Sequence, residues 1–262
     1  MAKKAGRGAL AAFGVCLSLW VLCSPSHAQD GAKAASACDA PPDSLAAPAP
    51  LPRVAAVLKE GKEGKKLNIL IIGSPVGLGR SPRKSYPAAL ESLLEHALAG
   101  IDVVIVNKPV SGEIAATAAE RMRTEVALAR PDLLIWQVGA NDALQHVAPD
   151  EYRERLLDGV SWAKENGLDV LLVGFEANPW LHDNREAEAI REATSRVAQE
   201  ENVLYLRRYE ATQFVAGARS KIEQGADPFP PESGSECLAE QVAQALVANI
   251  VLRRTRPTPV EP

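Results

Sequence analysis

The sequence predicts an α/β fold in which helices cover both faces of a parallel sheet. Three observations predict it. Five short apolar runs recur along the chain, each followed by a longer segment of mixed polarity. The runs are continuous and do not alternate with polar residues, as expected of strands buried on both faces. Their βαβα order is the signature of a parallel sheet wrapped by crossover helices.

Taken in order, the strands are expected at Leu67–Ile72, Asp102–Val106, Asp132–Val138, Asp169–Val173 and Val203–Leu206. Helices are expected at Tyr86–Leu98, Glu113–Ala129, Pro149–Asn166, Arg185–Glu200 and Glu236–Arg253, with a short one at Tyr209–Gly217. The last of the long helices reads CLAEQVAQALVANIVL, whose apolar residues fall on one stripe at helical spacing. In a sheet of this kind the loops after Ile72, Val106, Val138, Val173 and Leu206 lie along one edge, where open α/β sheets bind ligands. No internal repeat is visible.

Flanking segments read differently. Lys3, Lys4 and Arg7 precede an apolar run from Ala9 to Leu22, and Ser26-His27-Ala28 follows as a small-x-small site. Residues 1–28 therefore read as a secretory signal peptide cut after Ala28, which implies a periplasmic or secreted protein. An uncleaved anchor is the alternative; no other segment is apolar and long enough to span a bilayer. Residues 29–62, rich in Ala and Pro and containing APAPLP, read as an extended N-terminal arm. The domain proper is expected over 63–254, and the tail 255–262, TRPTPVEP, is expected to be disordered.

The 262-residue chain is 47% hydrophobic with a formal charge of −4, which suits one sizeable core and gives no sign of a nucleic-acid partner. Cys16 and Cys23 would leave with the signal. Cys38 and Cys237 stay, and two thiols in an exported chain are expected to pair, clamping the arm to the last helix. The alternative is two buried thiols. Cysteine and histidine spacing suggests neither a metal site nor a cofactor.

The segment PDLLIWQVGANDAL, Pro131–Leu144, runs a buried strand into a glycine turn that presents Asn141 at the strand's carboxyl end. An amide there can donate to a developing oxyanion. Asn141 and Asp142 can equally shape the turn or cap the next helix. Together with LNILIIGSPVGLGRSPRKSYPAAL, VNKPVSGEIAA, YLRRYEA, DPFPPESGSECLAEQVAQAL and the N-terminal CDAPPDSLAAPAPLPRVAAVL, this block resembles the SGNH or GDSL-like hydrolases. The closer likeness is to exported bacterial members whose first block reads Gly-Ser-Ser-Ser-Thr. The resemblance covers nearly the whole chain from Cys38 onwards, and the two cysteines fall where that group places its own pair.

The resemblance implies a three-layer α/β/α sandwich with a flavodoxin-like, five-stranded parallel sheet. It also implies acyl transfer from esters to water through a Ser–His–Asp set. Carried over residue by residue, Gly112 of VSGE takes the block-two glycine and Asn141 the block-three asparagine, both oxyanion donors. Asp227 takes the late aspartate. Pro75 falls at the nucleophile and Pro230 at the base. Proline has neither hydroxyl nor backbone N–H, and it cannot accept a proton. The expectation is a catalytically degenerate hydrolase that binds a glycan, an acylated ligand or a protein partner at the strand-end pocket. The alternative is an active esterase with Ser74 displaced into the nucleophile's role and His182 as base. Ser74 also reads as a turn hydroxyl bonding local backbone. His146 follows a strand end as well, while His96 falls within a helix.

Overall fold

Alternate residues of the central strands supply two separate cores. The computed structural model describes residues 38, 46–59, 65–73, 85–177, 181, 184–214 and 233–255, with side chains of the last helix described over 237–250. All belong to the unit Ala35–Pro262. The strands are β1 (Ala46–Ala47), β2 (Lys65–Gly73), β3 (Ile101–Pro109), β4 (Leu133–Gln137), β5 (Asp169–Val173) and β6 (Leu204–Leu206). The helices are α1 (Pro52–Lys59), α2 (Tyr86–Ala97), α3 (Ala115–Ala129), α4 (Ala140–Leu144), α5 (Pro149–Glu165), α6 (Arg185–Glu200) and α7 (Ser233–Thr255). Residues 208–214 are also helical.

The sheet order is β1-β6-β5-β4-β2-β3, with β2 to β6 all parallel. Leu70, Ile72, Leu134 and Trp136 enter the core built with α3, α5 and α6. Ile69, Ile71, Leu133 and Ile135 enter the opposite core, built with α1, α2 and α7. This is the expected three-layer α/β/α sandwich. Each fully buried Leu or Ile of these strands contributes about 1.5–3 kcal/mol by leaving water.

Helix ends follow from local sequence. Pro87 and Pro149 stand in the first turns of α2 and α5, where a missing N–H costs nothing. Asn184 caps α6 by accepting from the N–H groups of Glu186 (2.8 Å) and Ala187 (3.1 Å). Arg130 turns left-handed (φ 45°) after α3, and Pro131 prevents continuation.

The sheet carries one strand beyond the five expected. β1 pairs antiparallel with β6, Ala46 opposite Leu206. It comes from the segment that reads as an extended arm, as does α1. Both are fastened from several sides. The Asn249 side chain of α7 accepts from Ala49 N–H (3.2 Å) and donates to Ala49 C=O (2.6 Å). Asp169 of β5 accepts from Val54 N–H at the start of α1 (2.8 Å). The disulfide Cys38–Cys237 joins the arm to α7, with the two Cα atoms 4.9 Å apart. Among the described residues no helix is long and apolar enough to cross a membrane.

Candidate functional site

The carboxyl ends of β2 to β6 share one edge, and two features there bring backbone very close. At the end of β2, Gly73 (φ +103°) lies against the end of β4, and any side chain would strike the carbonyl oxygen of Gln137. After β3, Glu113 N–H bonds back to Val110 C=O (3.3 Å), closing a turn with Gly112 at its third position. Its φ of +75° is the left-handed value that a type II turn demands there, which glycine meets without strain.

The turn at Gly112 is held by α4, the helical turn formed by ANDAL. Asn141 Nδ2 donates to the Glu113 carbonyl (2.8 Å), and Gln145 Nε2 donates to the Gly112 carbonyl (2.8 Å). Asp142 Oδ1 accepts from Ala115 N–H (2.9 Å), the first residue of α3. Asp142 is only 2% exposed, and burial raises its pKa although backbone N–H groups pull it down. A fourth tie comes from side chains. Glu113 and Arg121 form a two-pronged pair, 2.7 Å on each side, and Arg121 also donates to the Lys108 carbonyl (2.9 Å). The hydrogen bond to Glu113 raises the Arg121 pKa.

Asn141 and the Gly112 turn are thus neighbours, joined through the Glu113 carbonyl. The Gly112 N–H donates to none of the described residues. Ser74, Pro75, His182, Asp227 and Pro230 lie outside the described residues.

His146 does not join this group. It stands at φ +56° and pairs through Nδ1 with Glu186 Oε2 of α6 on the surface, its side chain 71% exposed. His96 is exposed on α2.

Other groups at the same edge gave little sign in the sequence. Asp142 caps a helix that precedes it by 27 residues, not the helix after it. Gln145, Glu113 and Arg121 complete the brace. Gln137, which interrupts an otherwise apolar strand, is buried beside Gly73, and its Nε2 has no hydrogen-bond partner among the described residues. Arg208, after β6, is 2% exposed and bonds Glu176 Oε2 (2.6 Å), with its pKa lowered by burial. Only the break that Gln137 makes in the LLIWQV run could have flagged it.

A polar cavity of about 500 Å³ opens between α6 and the helical residues 208–214. It is lined by Asn184, Glu188, Arg191, Tyr209, Glu210 and Gln213, among others. Arg191 lies 3.8 Å above the Tyr209 ring and reaches Glu210 Oε1 at 3.0 Å. The loops after β5 and β6 therefore do build a cavity, but neither Gly112 nor Asn141 lines it. Among the described residues no group of three His, Cys, Asp or Glu side chains could hold a metal ion.

The chain is an esterase-like hydrolase of the SGNH or GDSL-like superfamily by its family match and its relatives, and it shares their fold. Within it, residues 37–252 match the non-GDSL lipase-like family, to which the chain belongs. An arylesterase of Vibrio mimicus is 26% identical over 185 residues, covering 70% of this chain and 89% of its own. Esterase TesA of Pseudomonas aeruginosa is 29% identical over 135 residues, covering 51% of this chain and 66% of its own. Among solved structures, an acetylxylan esterase mutant of Geobacillus stearothermophilus has a TM-score of 0.56 at 21% identity, covering 72% of this chain and 94% of its own. A two-domain esterase active on acetylated mannans reaches 0.62 at 19% identity, over 84% of this chain and 60% of its own. Those two likenesses show the fold.

Proposed function

We propose that the protein is an exported, catalytically degenerate member of its family that binds a polyhydroxy ligand, an envelope carbohydrate or its acylated form, without hydrolysing it. One observation carries this reading. The Gly112 turn is braced by four separate side-chain contacts, yet prolines occupy positions 75 and 230, matched to nucleophile and base. Proline supplies no attacking oxygen, no oxyanion N–H and no proton acceptor. Even an intact oxyanion hole without its triad gives only about 10³–10⁴-fold over water. The cavity beside α6 offers guanidinium, carboxylate, amide and phenol groups, the mixture of donors and acceptors that hydroxyl groups match. Residues 1–28 direct export, to the periplasm or beyond.

A second reading has one observation in its favour: the curated relatives are described as esterases. In it Ser74 attacks and His182 takes its proton.

A fluorophosphonate probe and a short-chain nitrophenyl ester separate the two. The degenerate reading expects no labelling and no hydrolysis by the native chain, with activity arising in Pro75→Ser/Pro230→His. Labelling at Ser74, together with hydrolysis lost in Ser74→Ala, would overturn it. Glycan binding is read separately by calorimetry with acetylated and deacetylated xylan or mannan oligosaccharides, and with Arg191→Ala as the variant expected to lose it.

A further inference from the structure

The outer edge of β3 ends the sheet, and among the described residues no strand pairs with it. It is nine residues long, IDVVIVNKP, with Val104, Ile105 and Val106 only half-buried. A long apolar edge is a template for another strand unless it is blocked. We propose that this edge pairs with the β3 of a second copy of the chain, antiparallel and centred on Ile105, to give a two-fold symmetric dimer. The inference is independent of whether the site hydrolyses anything.

Charge and backbone parity select that register. In an antiparallel self-pairing about Ile105, Asp102 of each copy faces Lys108 of the other, and Val104 faces Val106. Asp102 and Lys108 project on the same side of the sheet: Asp102 reaches Lys66 of β2 (3.5 Å), and Lys108 reaches Glu125 of α3 (3.5 Å). The same residues in a parallel self-pairing would set like against like, which is unfavourable.

The backbone agrees. Val110 N–H donates to Gly73 C=O (3.0 Å), so even-numbered residues of β3 turn their backbone groups towards β2. Odd-numbered residues turn theirs outward, and Val103 N–H does point away, at Glu95 of α2 (3.5 Å). Ile105 would then exchange both of its hydrogen bonds with its own copy. Asp102 and Lys108 would form pairs without backbone hydrogen bonds, in which side chains stand closest, with Cα atoms about 4.5 Å apart.

Two details adjust the picture. The Glu95 carboxylate lies over Val103 N–H at a distance longer than a normal hydrogen bond, and it must swing aside for pairing. On α3, Leu128 is three residues beyond Glu125 and so shares its face. It is 74% exposed, apolar surface that a partner can cover.

The test is sedimentation of the full chain over a wide concentration range. The native chain is expected to dimerise. Asp102→Lys sets like charges opposite each other twice, raising the dimer dissociation constant by about tenfold or more. Asp102→Lys/Lys108→Asp restores the cross-copy pairs while leaving the contacts with Lys66 and Glu125 reversed, so recovery of the dimer reports the pairing itself. Glu95→Ala should tighten it. Should the charge variants misfold, Ile105→Cys decides: hydrogen-bonded partners about 5.5 Å apart at Cα fit a disulfide, giving a covalent dimer on oxidation that the native chain does not form. A native chain that stays monomeric throughout, or a folded double variant that fails to recover the dimer, overturns the proposal.

Discussion

The two ends of the same strands are fastened by the same kind of group to different purposes. At the amino ends, Asp132 and Asp169 tie the sheet to the N-terminal arm. Asp132 accepts from Arg53 Nε (2.8 Å) and from Asn68 N–H (3.0 Å), and Asp169 accepts from Val54 N–H (2.8 Å). At the carboxyl ends, Asp142, Asn141 and Gln145 tie one short turn to one short helix. The lower contacts hold whole elements against the core. The upper ones fix the direction of a few backbone groups around Gly112. A carboxylate with buried N–H partners therefore says nothing of function until the element it holds is known.

Breaking the lower end should cost most. Asp132→Ala strands Asn68 N–H, a hydrogen bond to a charged group worth about 1.5–3 kcal/mol, and releases the largely exposed Arg53, which adds at most about 1 kcal/mol. A loss of about 3 kcal/mol in urea unfolding is expected, with hydrogen exchange at residues 112–115 unchanged relative to the rest. Equal loosening at both ends would dissolve the contrast.

Asp169 gives the lower end a pH dependence. Burial is the main cause that lifts its pKa to about 6, and Asp132 nearby adds to it. An unfolded Asp titrates near 3.9. Between those values the folded chain holds a proton that the unfolded chain has released. Stability therefore falls as pH rises through this window, by about 2–3 kcal/mol in all. Asp169→Asn should flatten that fall, while Asp132→Ala should move it to lower pH. Unfolding measured from pH 4 to pH 7 checks both.

The contrast also explains what could be read in advance. The inner parallel strands were legible because they are buried on both faces and so are written as nearly continuous apolar runs, LNILII or LLIW, and the half-buried edge strand β3 still carries the run VVIV. β1 was not, since two alanines among prolines carry no pattern and take their strand geometry from β6. α1, PRVAAVLK, is hidden by the proline-rich context that precedes it, and its position depends on Asp169 and Asn249, far away in sequence. At the upper end, Asn141 stood out by its place at the end of a strand, and Gly112 through the family resemblance. Their brace did not, because Asp142 and Gln145 reach partners 27 and 33 residues away, and no local rule predicts that a residue caps a helix it does not begin.

A smaller effect is expected at that brace. Asp142→Ala removes the acceptor for Ala115 N–H and the cap of α3, a loss of about 1–2 kcal/mol. The sharper readout is local. Hydrogen exchange at residues 112–116 should quicken, with α1 unaffected. If α1 loosens instead, the two ends are coupled and the division of labour fails.

The smallest effect has the opposite sign. Gln137 lies at the upper end, at the last position of β4 and against Gly73. Its Nε2 is buried without a hydrogen-bond partner among the described residues. An unpaired buried donor costs about 1–3 kcal/mol, and a methionine of similar length removes that cost while filling the same space. Gln137→Met should therefore unfold at higher urea, by about 1 kcal/mol. If the amide is kept for a ligand at the strand-end edge, the same variant should bind that ligand less well. Stability gained and binding lost in one variant would place Gln137 with the upper end. Stability lost would mean that the amide is satisfied within the core and holds structure.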